Sequence, residues 1–358
     1  MTAPSQAARR FPGLWDFSEH CPLLALGLFL LLALFPLPSA AAEDLFLQDR
    51  PFRGLVRRDA AEKIAAAAAR QMAVQAAMRL MVRAPGLRFA FSGPPLPLEG
   101  LADEIYATET VALGLEGFPP NMRATAAVRL IPPQSLREAL IRALRDPESL
   151  ELRALLLARR AELIAGCDLL AGRLLSLNPH AGEGDPDSAL LLSLIRNLEA
   201  LDIYDQALRR HGAGWRRPDE ALKALGRAGD LAPDDPLILL ALAGVLLRLD
   251  QPAESREYAA KAGTLAPDLP QAQDLLGTIL LRQGLPVLAA DAFSRAVELA
   301  PGKPAYLTHR AFAHLILEQT EAFCADFRAA CALGDCEGYS WARAARKCPG
   351  NGTGLKKE

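Results

Sequence analysis

The sequence predicts a mainly α-helical protein in which a row of repeated helix pairs follows a smaller α/β region. The tripeptide Leu-Ala-Pro begins at Leu231, Leu265 and Leu299, so it recurs at a constant interval. Apolar residues make up 51% of the chain, and most are alanine and leucine, which are strong helix formers. A period of about 34 residues is typical of solenoids, in which each unit packs on its neighbours.

The first 42 residues have the layout of a cleaved secretory signal. An apolar stretch at 23–35 follows Arg9 and Arg10, and an A-x-A site lies directly before Glu43. As a helix this stretch would span about 20 Å, which is shorter than the ~30 Å hydrocarbon core of a bilayer. We therefore expect a mature chain in the periplasm or cell envelope, without a membrane span. The alternative is a leader that is retained as a membrane anchor.

Residues 43–146 are predicted to form a small α/β domain. Apolar residues at helical spacing predict one long alanine-rich helix over 59–82. Apolar and polar residues alternate over 122–130, which predicts a half-buried strand, and 110–115 alternates more weakly. Ser135 and Glu138 form a capping box that begins a further helix.

Residues 147–201 are predicted to form a long helix and a connecting helix. Leucines recur at helical spacing over 147–178, with Gly166 and Gly172 as candidate bending points. The proline- and glycine-containing loop at 179–187 interrupts this pattern. Helical periodicity then resumes and continues into the repeats, which we place at 202–337.

The repeated units agree at further positions, counted back from the proline of each tripeptide. Small residues lie five and twelve positions before Pro301, an aromatic residue eight before, a leucine 21 before and a glycine 24 before; they are Ala296, Ala289, Phe293, Leu280 and Gly277. Together with the period of about 34 residues, this pattern resembles the tetratricopeptide repeat, a pair of antiparallel helices. The resemblance implies three good units, 236–269, 270–303 and 304–337, and a degenerate unit at 202–235.

Packing explains why these residue types recur. Two helices approach closely only where their residues are small, and larger side chains fill the grooves of the next unit. Proline has no N–H for a further helical bond and disfavours helical geometry in the residue before it. It therefore ends the second helix and sets the register of the next unit.

In proteins that these repeats resemble, the first helices line a concave groove that binds a partner segment through the second, fifth, ninth, twelfth and thirteenth positions of each unit. The candidate groove residues here are Leu240, Leu247, Arg248, Asp274, Thr278, Leu281, Arg282, Thr308, Phe312 and Leu315. The remaining positions are Leu237, Gly244, Gln271, Ala305 and Ile316. Arg248 and Arg282 stand one repeat apart and are able to hold an acidic side chain. The alternative is that the protein itself covers part of this largely apolar surface.

The arginine-rich stretch at 209–217 allows two interpretations. It could form an anionic site with Trp215 as a platform, or it could be a solvated turn between helices. The second interpretation is favoured, since charge runs at helix ends are usually exposed to solvent.

Four cysteines cluster near the carboxyl end of the chain. Cys324 and Cys331 lie on one predicted helix about 10 Å apart, too far for a disulfide. A turn near 333–335 and a final helix that runs back would bring Cys324 level with Cys348 and place Cys331 beside Cys336. We expect these two pairs, with Cys336–Cys348 as the alternative. Either arrangement would fix residues 338–358, a capping helix and tail, to the last repeat.

Composition and motifs argue against several function classes. With 40 basic and 42 acidic residues, the chain has no basic surplus of the kind that nucleic acid requires. Neither a metal-ligand spacing nor a nucleophile or phosphate-binding motif is present, so we expect no metal, no cofactor and no enzymatic activity. The sequence therefore predicts an exported scaffold that binds a protein or peptide. A membrane-anchored assembly factor is the alternative, and an enzyme with a site between the α/β domain and the solenoid is less favoured.

Overall fold

The fold is described from a computed structural model of the chain, which describes residues 45–53, 58–83, 97–118, 121–177 and 186–348. The predicted leader and most of the loop at 179–187 lie outside these residues. By its contacts the chain divides into two compact units. Among the described residues, the first comprises 45–52, 58–83, 97–118, 121–161 and 212–214, and the second comprises 162–177, 186–211 and 215–348 with Arg53. The domain limits that the sequence predicts, at 146, 201 and 337, are not tested by this division and stay predictions.

The first compact unit combines three strands with helices. Its elements, with the long helix that leads into the second compact unit, are β1 (Leu45–Arg53), α1 (Arg58–Arg83), α2 (Leu98–Ile105), β2 (Ala107–Phe118), β3 (Asn121–Ile131), α3 (Leu136–Leu144) and α4 (Pro147–Leu177). The strands form one sheet in the order β1-β3-β2. Strands β2 and β3 are antiparallel, with Ala107 opposite Ile131 and a bulge between Thr110 and Ala112.

The alternation in β3 produces the predicted half-buried strand. Its apolar set is buried on the face that packs against α1: Met122, Ala124, Ala126, Val128 and Leu130. Helix α1 presents mainly alanines to the core, which lets it lie close to the strands. The long helix, the two strands and the capped helix were therefore predicted, whereas β1 and α2 were not.

Helix α3 begins where the capping box predicts. The Ser135 side-chain oxygen accepts a hydrogen bond from the Glu138 N–H over 3.3 Å. This bond satisfies one of the N–H groups that the first turn of a helix leaves without a partner.

A buried group of charges joins helices of the first compact unit. Arg153 of α4 lies 3.4 Å from the Asp103 carboxylate and 2.9 Å from the Glu104 carboxylate, both on α2. Arg70 of α1 lies 3.8 Å from Asp103. The side chains of Arg153 and Asp103 are each only 4% exposed, so water screens their interaction little.

The second compact unit is helical throughout its described residues. It contains the second half of α4 followed by α5 (Pro186–His211), α6 (Pro218–Leu231), α7 (Pro236–Arg248), α8 (Pro252–Leu265), α9 (Pro270–Arg282), α10 (Pro286–Leu299), α11 (Pro304–Ile316), α12 (Thr320–Ala332) and α13 (Glu337–Ala344). Helices α7, α9 and α11 begin at the same constant interval as the Leu-Ala-Pro tripeptide, and so do α8, α10 and α12. The prediction of tetratricopeptide-type helix pairs is confirmed. Helices α5 and α6 form the degenerate pair.

Small residues lie where the helices of a pair cross. A Cβ added at Gly277 of α9 would come 2.6 Å from Cε1 of Phe293, which lies on α10 and is 1% exposed. In the preceding pair, Ser255 donates a hydrogen bond to the Ala243 carbonyl over 2.7 Å. The recurring small residues therefore permit the close approach that the sequence predicts.

Polar contacts also tie the helices of the last repeats together. Arg310 of α11 donates two hydrogen bonds to the Asp326 carboxylate of α12, over 2.9 Å and 2.7 Å. Its third contact, over 3.3 Å, is to the Ser294 hydroxyl of α10. The hydrogen bonds from Arg310 to Asp326 raise the pKa of Arg310 above its ordinary value, so the guanidinium keeps its positive charge.

Within the described residues, no helix combines the length and the apolar character that crossing a membrane requires.

Candidate functional site

The predicted groove is not equally accessible in the three good repeats. In the first of them, Leu240 and Leu247 are only 6% and 2% exposed. They belong to buried clusters that include Ala272 and Ile279 of α9, so they pack between repeats. Their contact with a partner, which the sequence predicts, stays a prediction, and in this structure both side chains are covered by the neighbouring repeat. They fill the interface between repeats because leucine at these positions reaches the next first helix.

Trp215 accounts for further burial in the first good repeat. This residue lies between α5 and α6, is 4% exposed and stacks on Tyr204 with 6.1 Å between ring centroids. A Cβ added at Gly244, a groove position of α7, would lie 3.2 Å from the indole nitrogen of Trp215. Trp215 thus covers the groove face of α7 and is not an exposed platform for an anion. Arg216 and Arg217 beside it are exposed, in agreement with the solvated-turn interpretation.

The second and third good repeats keep their groove positions accessible. Thr278 and Leu281 of α9 and Phe312 and Leu315 of α11 are half-buried. Arg282, Ala305 and Ile316 are exposed. These side chains form one surface on α9 and α11, which we call the groove surface.

Two polar groove residues already have partners within the protein. Asp274 of α9 accepts a hydrogen bond from Nδ1 of His309 on α11 over 2.7 Å, in the tautomer that protonates this nitrogen. Thr308 of α11 donates to the Asp335 carboxylate over 3.3 Å. Both contacts join one first helix to the chain that follows it. Asp274 and Thr308 therefore contribute to the packing of successive repeats.

The two arginines predicted to hold an acidic side chain are both exposed. The Arg282 guanidinium lies 4.0 Å from the Asp250 carboxylate, which is itself 92% exposed. An exposed pair at this distance is weak and exchanges readily with other partners. Arg248 and Arg282 thus place positive charge at the end of α7 and α9.

Phe312 and Leu315 pack on the carboxyl-terminal part of the chain. The rings of Phe312 and Phe327 meet edge to face with 5.6 Å between centroids. Phe312, Leu315 and Tyr339 of α13 all pack against one buried cluster, which includes Phe323 and Phe327 of α12. Helix α13 therefore continues the groove surface beyond α11.

Both expected disulfides are present in the structure. Cys324 is joined to Cys348, with 5.6 Å between Cα atoms, and Cys331 is joined to Cys336, with 3.9 Å between Cα atoms. The first pair is buried in the cluster beneath α13, and the second spans the turn between α12 and α13. The alternative pairing of Cys336 with Cys348 is not formed.

Helix α13 also occupies a position that sequence reasoning missed. It begins at Glu337, one residue short of a full repeat interval after the start of α11, so it lies where the first helix of another unit would begin. Advancing by one repeat interval from Ala305 and Phe312 gives Tyr339 on α13 and Arg346 in the turn that follows it. Gly338 replaces the expected proline, which hides the repeat. The constant interval alone could have found these residues.

Among the described residues, no group of three or more histidine, cysteine, aspartate or glutamate side chains is arranged to hold a metal ion.

No protein-family model and no curated protein sequence matches this chain. Solved structures with repeated helix pairs are similar to part of it. MamA, from residue 41 to its end, from Desulfovibrio magneticus RS-1 is 23% identical over 39% of this chain and 76% of its own, with a TM-score of 0.35. YrrB, described as a TPR protein with an unusual peptide-binding site, is 17% identical over 53% of this chain and 89% of its own, with a TM-score of 0.35. PilF of Pseudomonas aeruginosa is 15% identical over 53% of this chain and 87% of its own, with a TM-score of 0.37. At these identities and TM-scores, the similarity says nothing about what this chain binds.

Proposed function

We propose that this chain is an exported interaction protein that binds a segment of another protein on its groove surface. The observation that carries this proposal is the difference in burial between repeats. Three of the five repeat positions are buried in α7, at Leu237, Leu240 and Leu247, whereas the corresponding positions of α9 and α11 are half-buried or exposed. A surface that the protein leaves accessible on consecutive first helices is available to a partner.

The chemistry of the groove surface suits an extended segment with apolar side chains. Leu281, Phe312, Leu315 and Ile316 supply apolar area, and Ile316 is 55% exposed. Covering such area contributes about 25 cal/mol for each Å² removed from water, from which the entropy cost of association is subtracted. The Thr278 hydroxyl beside this apolar area donates to the Asp274 carbonyl over 3.1 Å, so toward a partner it can act as a hydrogen-bond acceptor.

Two features support a location outside the cytoplasm. The sequence of the first 42 residues has the layout of a secretory signal. The chain also holds two disulfides, which persist in oxidising compartments such as the bacterial periplasm.

A double charge substitution tests the groove surface. Ala305→Glu with Ile316→Glu places two carboxylates on exposed groove positions, so the fold should be retained. We expect the variant to lose partner capture from envelope extract by at least about tenfold, because each buried carboxylate must give up its water. The measurement is affinity capture with the full chain, quantified by mass spectrometry.

The matched control is Ala260→Glu with Ala329→Glu, which adds the same charge at exposed positions of the second helices α8 and α12. This control should capture the same proteins as the unmodified chain. Equal capture by the groove variant and the control would show that the groove surface is not the binding site.

The amino terminus of the mature protein tests export and the anchor alternative together. We expect the protein recovered from its native host to begin at Glu43, since the A-x-A site precedes this residue. Intact-mass measurement of the purified protein gives the answer. A chain that retains the apolar stretch at 23–35 would instead support the membrane-anchored assembly factor.

A further inference from the structure

The carboxyl-terminal helix does more than cover the end of the repeats. Because it takes the place of the next first helix, α13 and the turn that follows it add Tyr339 and Arg346 to the row of groove positions. Tyr339 is half-buried and Arg346 is exposed. The surface next to Phe312 and Leu315 is thus bounded by α13.

Close packing and covalent bonds hold α13 in this place. A Cβ at Gly338 would overlap the ring of Phe327, so the start of α13 lies directly on the α12 core. The Cys324–Cys348 disulfide fixes the residues that follow α13, and Cys331–Cys336 fixes the turn before it. Both ends of this short helix are therefore tied to α12.

Three of the four charged residues that α13 and its following turn bring to the surface are basic. Arg343, Arg346 and Lys347 are all exposed, and the Arg343 guanidinium lies over the Tyr339 ring, 6.0 Å from its centroid. Within 337–348 the one acidic residue is Glu337. Asp335, just before the helix, accepts a hydrogen bond from Thr308.

We propose that the surface shared by α11, α13 and the turn after α13, here called the end wall, binds an acidic segment of another protein that carries aromatic or aliphatic side chains. This inference rests on the proposed function. Phe312, Leu315 and Tyr339 offer apolar contact, while Arg343 and Arg346 offer charge-assisted hydrogen bonds to carboxylates. Charge complementarity of this kind sets partner specificity and the rate of association.

The end wall also makes binding depend on the disulfides. A reducing phosphine supplies two electrons to each disulfide and becomes a phosphine oxide, while water supplies the oxygen and the two thiol protons. Without both disulfides, α13 is held on α12 by non-covalent packing alone, and without Cys324–Cys348 only its first end keeps a disulfide to α12. Its arginines are then no longer fixed beside α11.

Two labelled probe peptides test this proposal with the full chain. The acidic probe is Ser-Gly-Leu-Glu-Phe-Glu-Gly-Ser, and the basic probe has lysine in place of both glutamates. By fluorescence anisotropy at low salt, we expect the acidic probe to bind about tenfold more tightly, since two exposed charge pairs are together worth about that factor. Arg343→Glu with Arg346→Glu should reverse this preference. Arg227→Glu with Arg295→Glu, which changes the same charge on α6 and α10, should leave it unchanged.

Reduction and a vesicle experiment complete the test. Phosphine treatment, or Cys324→Ser with Cys348→Ser, should weaken acidic-probe binding by about tenfold or more. Equal affinity for the two probes, no binding of either, or a preference that survives the double arginine substitution would each overturn the proposal. Arginine-dependent sedimentation with vesicles of anionic lipid, without preference between the probes, would assign the end wall to a membrane surface instead.

The outcomes separate this inference from the proposed function. Loss of capture by Ala305→Glu with Ile316→Glu, together with equal probe affinities, would leave the groove surface as the binding site and remove only the end wall. Unchanged capture by that variant, together with equal probe affinities, would remove both.

Discussion

Arg153→Met is expected to destabilise the first compact unit by about 3–5 kcal/mol, the largest effect on stability that we predict for a single substitution. Methionine is apolar, so the Asp103 and Glu104 carboxylates lose the Arg153 guanidinium, which lies 3.4 Å from the first and 2.9 Å from the second. The Asp103 side chain is only 4% exposed, so water cannot replace the lost guanidinium. Arg70, at 3.8 Å from Asp103, offsets part of the cost. Amide hydrogen exchange of α1, α2 and α4 measures the change.

A surface ion pair supplies the control for this prediction. Arg123 lies 2.8 Å from Asp49, which is closer than Arg153 lies to Asp103. The side chains of Arg123 and Asp49, however, are each at least half exposed. Arg123→Met should therefore change the free energy of unfolding by less than about 1 kcal/mol. Similar losses from the two substitutions would mean that burial does not set the strength of the Arg153 contacts.

Removal of the Cys324–Cys348 disulfide is expected to have the second large effect. Its cysteines are 24 residues apart. Closing a loop of this length lowers the entropy of the unfolded chain and so raises the free energy of unfolding by about 3 kcal/mol. In Cys324→Ser with Cys348→Ser, the amides of α13 should therefore exchange about 100-fold faster. Trypsin should also cleave earlier at Arg343, Arg346 and Lys347.

The second disulfide allows a comparison within the same region. Cys331 and Cys336 are only five residues apart, so their removal should cost about 2 kcal/mol. Because this loop contains the turn before α13, the effect should also be confined to fewer amides. Unchanged exchange in α13 after loss of Cys324–Cys348 would show that packing on Phe327 is sufficient to hold the helix.

The repeats were predictable because one physical requirement recurs along the chain. Each pair has small residues where its helices cross, and each of the helices α6 to α11 begins at a proline, so an error in reading one repeat would be corrected by the next. Gly277 opposite Phe293 shows this requirement directly. The first compact unit has no such redundancy, and there the strand β1 and the helix α2 escaped prediction.

The accessible part of the groove was harder to predict, because accessibility depends on residues outside the repeat pattern. Nothing in the spacing of Leu240 and Leu247 indicates that they reach α9. Trp215 lies in a turn, and its position against Gly244 follows from the way α5 and α6 pack. For the disulfides, helix geometry excluded only the pair Cys324–Cys331, which lie seven residues apart on one helix. The expectation that the last helix runs back along α12 then favoured Cys324–Cys348 and Cys331–Cys336 over Cys336–Cys348.

The burial of α7 limits how much of a ligand this protein can hold at once. Adjacent packed helices are about 10 Å apart, so α9, α11 and α13 together extend over roughly 20 Å. An extended chain advances about 3.3 Å for each residue and therefore meets this surface with about six residues. So short an encounter should dissociate quickly, and lasting attachment would require several such segments on one partner, or several copies of this protein side by side.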